Sequence, residues 1–140
     1  MENSLKKYLR YIKKNRKQII KGGSQSDDDS NKELLINIVD NCSKCLNWIN
    51  NDSIKTWSGI HVDSNYDLIG MNLSNYNFYG KLTEKLFHFK KLKHLNISNN
   101  NLNDTISGKI KSLTELNTLD LSDNLIYGTI PKELKYLTKL

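Results

Sequence analysis

One four-residue segment recurs in this chain at a fixed interval. Met71-Asn72-Leu73-Ser74, Leu95-Asn96-Ile97-Ser98 and Leu119-Asp120-Leu121-Ser122 superimpose at an offset of 24 residues. A period of this size means one supersecondary unit copied along an axis, each copy burying its apolar face against its neighbours. Seven positions per copy are apolar: Leu68, Met71, Leu73, Phe78, Leu82, Leu86 and Phe89 in the first. The series continues through two further copies to Leu140, and all 22 positions are apolar in a chain that is 37% hydrophobic. Random placement at that composition would fill roughly eight of them.

Within a copy, Leu-x-x-Leu-x-Leu alternates with period two, so a short strand is expected. Ser-x-Asn then turns the chain. Asn100 and Asn124 each bring an amide able to donate and accept, which suits tying exposed backbone between coils. Tyr76 stands at that position in the first copy and is expected to lack this function. Gly80 and Gly128 mark a place where φ > 0 is expected, with Asp104 tolerating the same conformation in the second copy. The remainder of each copy, such as Lys132–Leu137, reads as a helical or 3-10 turn.

The net charge of +6 is unevenly placed. Residues 1–21 hold eight Lys/Arg and one Glu, so the basic character belongs to an arm and the body is nearly neutral. Leu5, Tyr8, Leu9, Ile12 and Ile19 share one face of an amphipathic helix over residues 3–20. Lys6, Lys7, Arg10, Lys13, Lys14, Arg16 and Lys17 fill the rest. Three readings stay open for it: a solvated helix, a surface for anionic membrane or nucleic acid, or an organelle-targeting segment. Residues 22–30 read as a flexible linker.

Residues 31–67 read as a cap on the first coil. A helix is expected over 32–46, with Asn31 as its N-cap. Trp48 and Trp57 supply large apolar surfaces to cover the open end of the stack. Cys42-Ser-Lys-Cys45 reads as two buried thiols that stay reduced, with a metal or redox role as the lesser alternative, because structural zinc needs four ligands. The chain contains no Ala but 19 Asn, a skew that fits an AT-rich genome. No apolar run is long enough to span a membrane and no secretory signal is evident, so the expected location is intracellular and cytoplasmic.

These residues resemble leucine-rich repeat proteins of the plant-type, 24-residue class. The third copy carries the pattern nearly throughout, in Leu113, Leu116, Leu119, Leu121, Ser122, Asn124, Ile126, Gly128, Ile130 and Pro131. Trp57-x-Gly59-Ile60 resembles the family's N-terminal cap, with Lys55 and Val62 where secreted members place a Cys pair. The resemblance implies an α/β solenoid: a right-handed superhelix with a concave parallel β-sheet, a short second strand after the Asn turn and a helical cap. It also implies a protein that binds other proteins and catalyses nothing.

The outward positions of the strands form ladders: Gly70, His94, Thr118; Asn72, Asn96, Asp120; Ser74, Ser98, Ser122. This polar strip is the expected partner-binding face, and His94 reads on its own as a surface histidine. No nucleophile elbow, metalloprotease helix or phosphate loop is present, so no enzyme, cofactor or metal site is expected. The competing readings are membrane or nucleic-acid association through the arm, and a truncated remnant of a longer repeat protein. Leu134, Leu137 and Leu140 are expected at an uncovered edge that favours self-association.

Overall fold

A computed structural model describes Asn31, Leu34, Leu35, Ile38, Cys42 and residues 54–140. The basic segment 1–21 with its seven named cations, the linker 22–30, Trp48 and Cys45 lie outside the described residues. Asn31, Leu34, Leu35 and Ile38 have helical backbone, and Leu35 and Ile38 are buried in the core. The remainder of the expected cap helix, like the basic helix, is outside the described residues.

Each repeat contributes one strand to a four-stranded sheet ordered β1-β2-β4-β6, with β1 Ile60–Val62, β2 Leu68–Asn72, β4 His94–Asn96 and β6 Thr118–Asp120. The parallel pairings reproduce the repeat offset, with Gly70 opposite His94 and His94 opposite Thr118. The apolar columns fix this register, because a one-residue slip would turn every leucine to the other face. Backbone bonds extend the ladder past the strand ends, from Leu73 N to Asn96 O at 2.7 Å and from Ile97 N to Asp120 O at 2.9 Å.

The repeat strands pair in parallel as expected, and the segment before them adds one antiparallel strand. β1 runs antiparallel to β2, pairing Ile60 with Met71 and His61 with Gly70. The chain reverses in the short loop after β1, where Asp63 Oδ1 accepts from Asn65 N and Asp67 N at 2.8 and 3.0 Å. A loop this short joins antiparallel strands only, since a parallel connection needs a crossover of a dozen residues or so.

A second, two-stranded parallel sheet pairs β3 Tyr79–Gly80 with β5 Asn101–Leu102. Opposite the main sheet, each coil closes through a 3-10 helix, at Glu84–His88, Gly108–Ser112 and Lys132–Tyr136. Thr83 and Ser107 cap the first two, their hydroxyls accepting from Lys85 N and Lys109 N. Pro131 starts the third by fixing φ, with no side-chain bond.

The core runs between the sheet and the 3-10 helices. Met71, Leu73, Leu86, Leu92, Leu95, Leu102, Ile110, Leu113 and Leu116 are fully buried. Burial of one such side chain contributes about 1.5–3 kcal/mol. Burial thins in the third copy, where Leu119, Leu121 and Ile126 are only partly covered. The exposed apolar groups at this end include Leu125 at 60%, Ile130 at 80% and Leu140 at 51%. Leu137, expected at the uncovered edge, is buried at 4%, and Leu134 packs partly against the core. Leu134 sits on the last 3-10 helix and Leu137 caps its end, and that helix lies against the preceding one.

Candidate interaction face

The outward residues of β2, β4 and β6, joined by His61 from β1, line an open groove of about 430 Å³. Its walls include His61, Ile69, Asn72, His94, Asn96, Thr118 and Asp120. His61 was absent from the sequence-derived strip. It arrives because β1 pairs in register with Gly70, a relation that a 24-residue period does not encode.

Three repeated turns hold the polar side chains in place. Asn72 Oδ1 accepts from Ser74 N and Oγ at 3.3 and 3.0 Å. Asn96 Oδ1 accepts from Ser98 N and Oγ at 2.9 and 2.7 Å. Asp120 Oδ1 accepts from Ser122 N and Oγ at 3.0 and 2.6 Å. The side-chain oxygen thus imitates a backbone turn. Donation from the Ser122 hydroxyl, then from its backbone N–H, holds the Asp120 carboxyl below its ordinary range. Ser98 does not belong to the exposed strip: it is buried at 4%, with the Asn99 amide 3.4 Å from its hydroxyl.

Lys85, Lys109, Lys111, Lys132 and Lys135 are exposed on the 3-10 helices, whereas Asp120 is the carboxylate among the groove residues. Lys109 pairs with Glu84 at 2.6 Å and Lys139 with Glu115 at 2.7 Å. Hydrogen bonding and charge from Lys139 hold the Glu115 carboxyl below its ordinary value. Such exposed pairs are worth about 0–1 kcal/mol each.

The asparagines behind the groove tie the coils together. Asn100 Nδ2 donates to Leu73 O at 2.9 Å and to Ile97 O at 2.9 Å, while its Oδ1 accepts from Phe78 N at 3.0 Å. Asn124 repeats this with Ile97 O at 2.8 Å, Leu121 O at 3.1 Å and Leu102 N at 3.0 Å. Tyr76 is not idle at the matching position. Its hydroxyl lies 3.2 Å from Ser58 O and 3.0 Å from Ser58 Oγ, a reach that the shorter amide of an asparagine would lack.

Gly80 and Gly128 have φ of +76° and +88°. Asp104 is absent from the left-handed residues, its carboxylate accepting from Thr105 N at 2.8 Å instead. The left-handed conformation falls on Asn75, Asn99 and Asp123, with φ of 62°, 54° and 51°. These are the middle residues of the turns Ser74–Tyr76, Ser98–Asn100 and Ser122–Asn124, and Asn or Asp in every copy was the sequence signal for it. Trp57 is buried at 4%. Cys42 is disulfide-bonded, which corrects the expectation of reduced thiols. Such bonds persist in oxidising compartments.

Among the described residues no group of three or more His, Cys, Asp or Glu is placed to hold a metal ion, and no helix is long and apolar enough to cross a membrane.

The family model for the Leucine Rich Repeat matches residues 91–113 and 115–137, which are the second and third coils of the stack. Residues 91–137 thus carry two leucine-rich repeats. The HAESA leucine-rich repeat ectodomain, from an Arabidopsis receptor kinase, shares 25% identity with this repeat protein at a TM-score of 0.71, over 80% of this chain and 20% of that one. The ectodomain of the Arabidopsis thaliana receptor kinase SOBIR1 shares 22% at 0.67, over 81% and 64%. A plant ice-binding protein shares 23% at 0.59, over 78% and 45%. This chain spans a fifth of the HAESA chain and under two thirds of the other two. No curated protein matches it.

Proposed function

We propose that this repeat protein is a non-enzymatic interaction module and that its partner docks in the groove across β1, β2, β4 and β6. The observation that carries this reading is the prior ordering of the groove's polar side chains. Asn72, Asn96 and Asp120 are each held by a serine two residues on, so little side-chain entropy is lost when a partner binds. The HAESA ectodomain is described in complex with a peptide hormone ligand, which supports a peptide or protein as the class of partner here.

The test compares two substitutions once a partner is in hand. Thr118→Arg fills the groove, and Lys111→Glu alters the opposite side. The reading expects the first to weaken binding tenfold or more, a loss of about 1.4 kcal/mol, and the second to leave it unchanged. The opposite pattern would contradict it.

A second reading concerns the edge of the third coil, where Ile130 and Leu125 are exposed. Apolar groups so placed favour association of one chain with another. Light scattering after size-exclusion should show mass rising with concentration, and Ile130→Lys should suppress the rise. A mass that stays monomeric throughout would dispose of this reading.

A further inference from the structure

One row of the main sheet reads His61, Gly70, His94, Thr118 across four strands. Gly70 has no side chain, and the His61 ring leans over the space this leaves. A Cβ placed on Gly70 would lie 3.1 Å from His61 Cβ and 3.2 Å from its Cδ2. His94 rises from the strand on the other side of Gly70. With strands about 4.8 Å apart, the two imidazoles stand on backbones roughly 10 Å apart with no side chain between them. Both histidines are exposed to the groove.

Thr118 orients the second ring. His94 Nδ1 lies 3.0 Å from Thr118 Oγ1. When Nδ1–H donates to that hydroxyl, the lone pair is left on Nε2, and a hydrogen bond at the far nitrogen is how proteins hold a ligating imidazole in place. Neutral imidazole suits zinc, nickel and copper, at metal–nitrogen distances of about 2.0–2.1 Å.

We infer that His61 and His94 form a two-imidazole site for a borderline divalent metal ion such as Zn²⁺, bridging the strands on either side of Gly70. Water completes the coordination in the free protein. An oxygen or nitrogen donor from an occupant of the groove can replace that water, which would couple metal binding to partner binding. Gly70 is the enabling residue, because any side chain there would push into His61.

The chain carries its own control. His88, the third histidine, lies on a 3-10 helix on the opposite side, with Nδ1 3.2 Å from Lys85 O. Zinc chloride is titrated into the full chain while imidazole proton resonances and heat are recorded. The inference expects one zinc per chain, with the His61 and His94 signals shifting together and the His88 signals still. His61→Ala and His94→Ala should each weaken zinc binding roughly 100-fold, as expected when a two-point attachment becomes single-point, with the circular dichroism spectrum unchanged. All three histidines responding alike, or His61→Ala leaving the affinity intact, would overturn it.

Discussion

The Asn100 side-chain amide donates to the Leu73 carbonyl at 2.9 Å across 27 residues of chain, binding one coil to the next from inside the stack. The same side chain accepts from Phe78 N, and Asn100 is only 7% exposed. Asn100→Ala would leave the Phe78 N–H and the Leu73 carbonyl without this partner. Each unsatisfied buried group costs about 1–3 kcal/mol, so the variant should lose roughly 2–4 kcal/mol in urea unfolding. Asn124→Ala should cost less, because its surroundings are only partly buried.

Asn99 carries φ of 54° in the middle of its turn. Glycine adopts this conformation freely, while a β-branched residue meets its own backbone. Asn99→Gly should stay within about 0.5 kcal/mol of the parent, and Asn99→Val should lose about 1–2 kcal/mol, both read from urea midpoints. An equal loss in the two variants would show that the asparagine side chain matters more than the backbone angle.

Gly59 and Gly80 both have positive φ, of 80° and 76°, but differ in their surroundings. A Cβ on Gly59 would stand 2.2 Å from the Asn72 carbonyl oxygen, whereas one on Gly80 meets nothing within 4 Å. Gly80→Ala should therefore cost only the conformational strain, about 1–2 kcal/mol. Gly59→Ala must also part β1 from β2, and its loss should exceed that of Gly80→Ala clearly in thermal melts.

Asp120 bonds to Ser122 through a carboxylate held below its ordinary pKa. A group lowered on folding stabilises the fold above its unfolded pKa, and that contribution disappears as pH falls through the folded value. Melting temperature should thus decline on acidification below the ordinary aspartate range, with Glu115 contributing to the same limb. Asp120→Asn should flatten part of that decline while folding normally at neutral pH, since Asn72 and Asn96 already make the same turn.

The aliphatic columns made the stacking and its register readable before any coordinate, because only a fixed period buries Leu73, Ile97 and their kin on one side. What escaped notice had two causes. Some of it was local chemistry already in view: Asn75, Asn99 and Asp123 signal a left-handed turn as clearly as glycine does. The rest depends on residues before Leu68, which do not repeat. The reversal that brings His61 beside Gly70, and the reach of Tyr76 to Ser58, follow from strand direction and side-chain length, which periodicity does not specify. The groove was accordingly anticipated on three strands and found on four.

Proton–proton contacts across the main sheet test the stacked-coil account most directly. Nuclear Overhauser effects should link Gly70 to His94 and His94 to Thr118, with matching contacts from Met71 to Leu95 and Leu95 to Leu119, all at the repeat offset. Finding instead i to i+3 and i to i+4 contacts running through residues 68–121, with the 24-residue contacts absent, would contradict it.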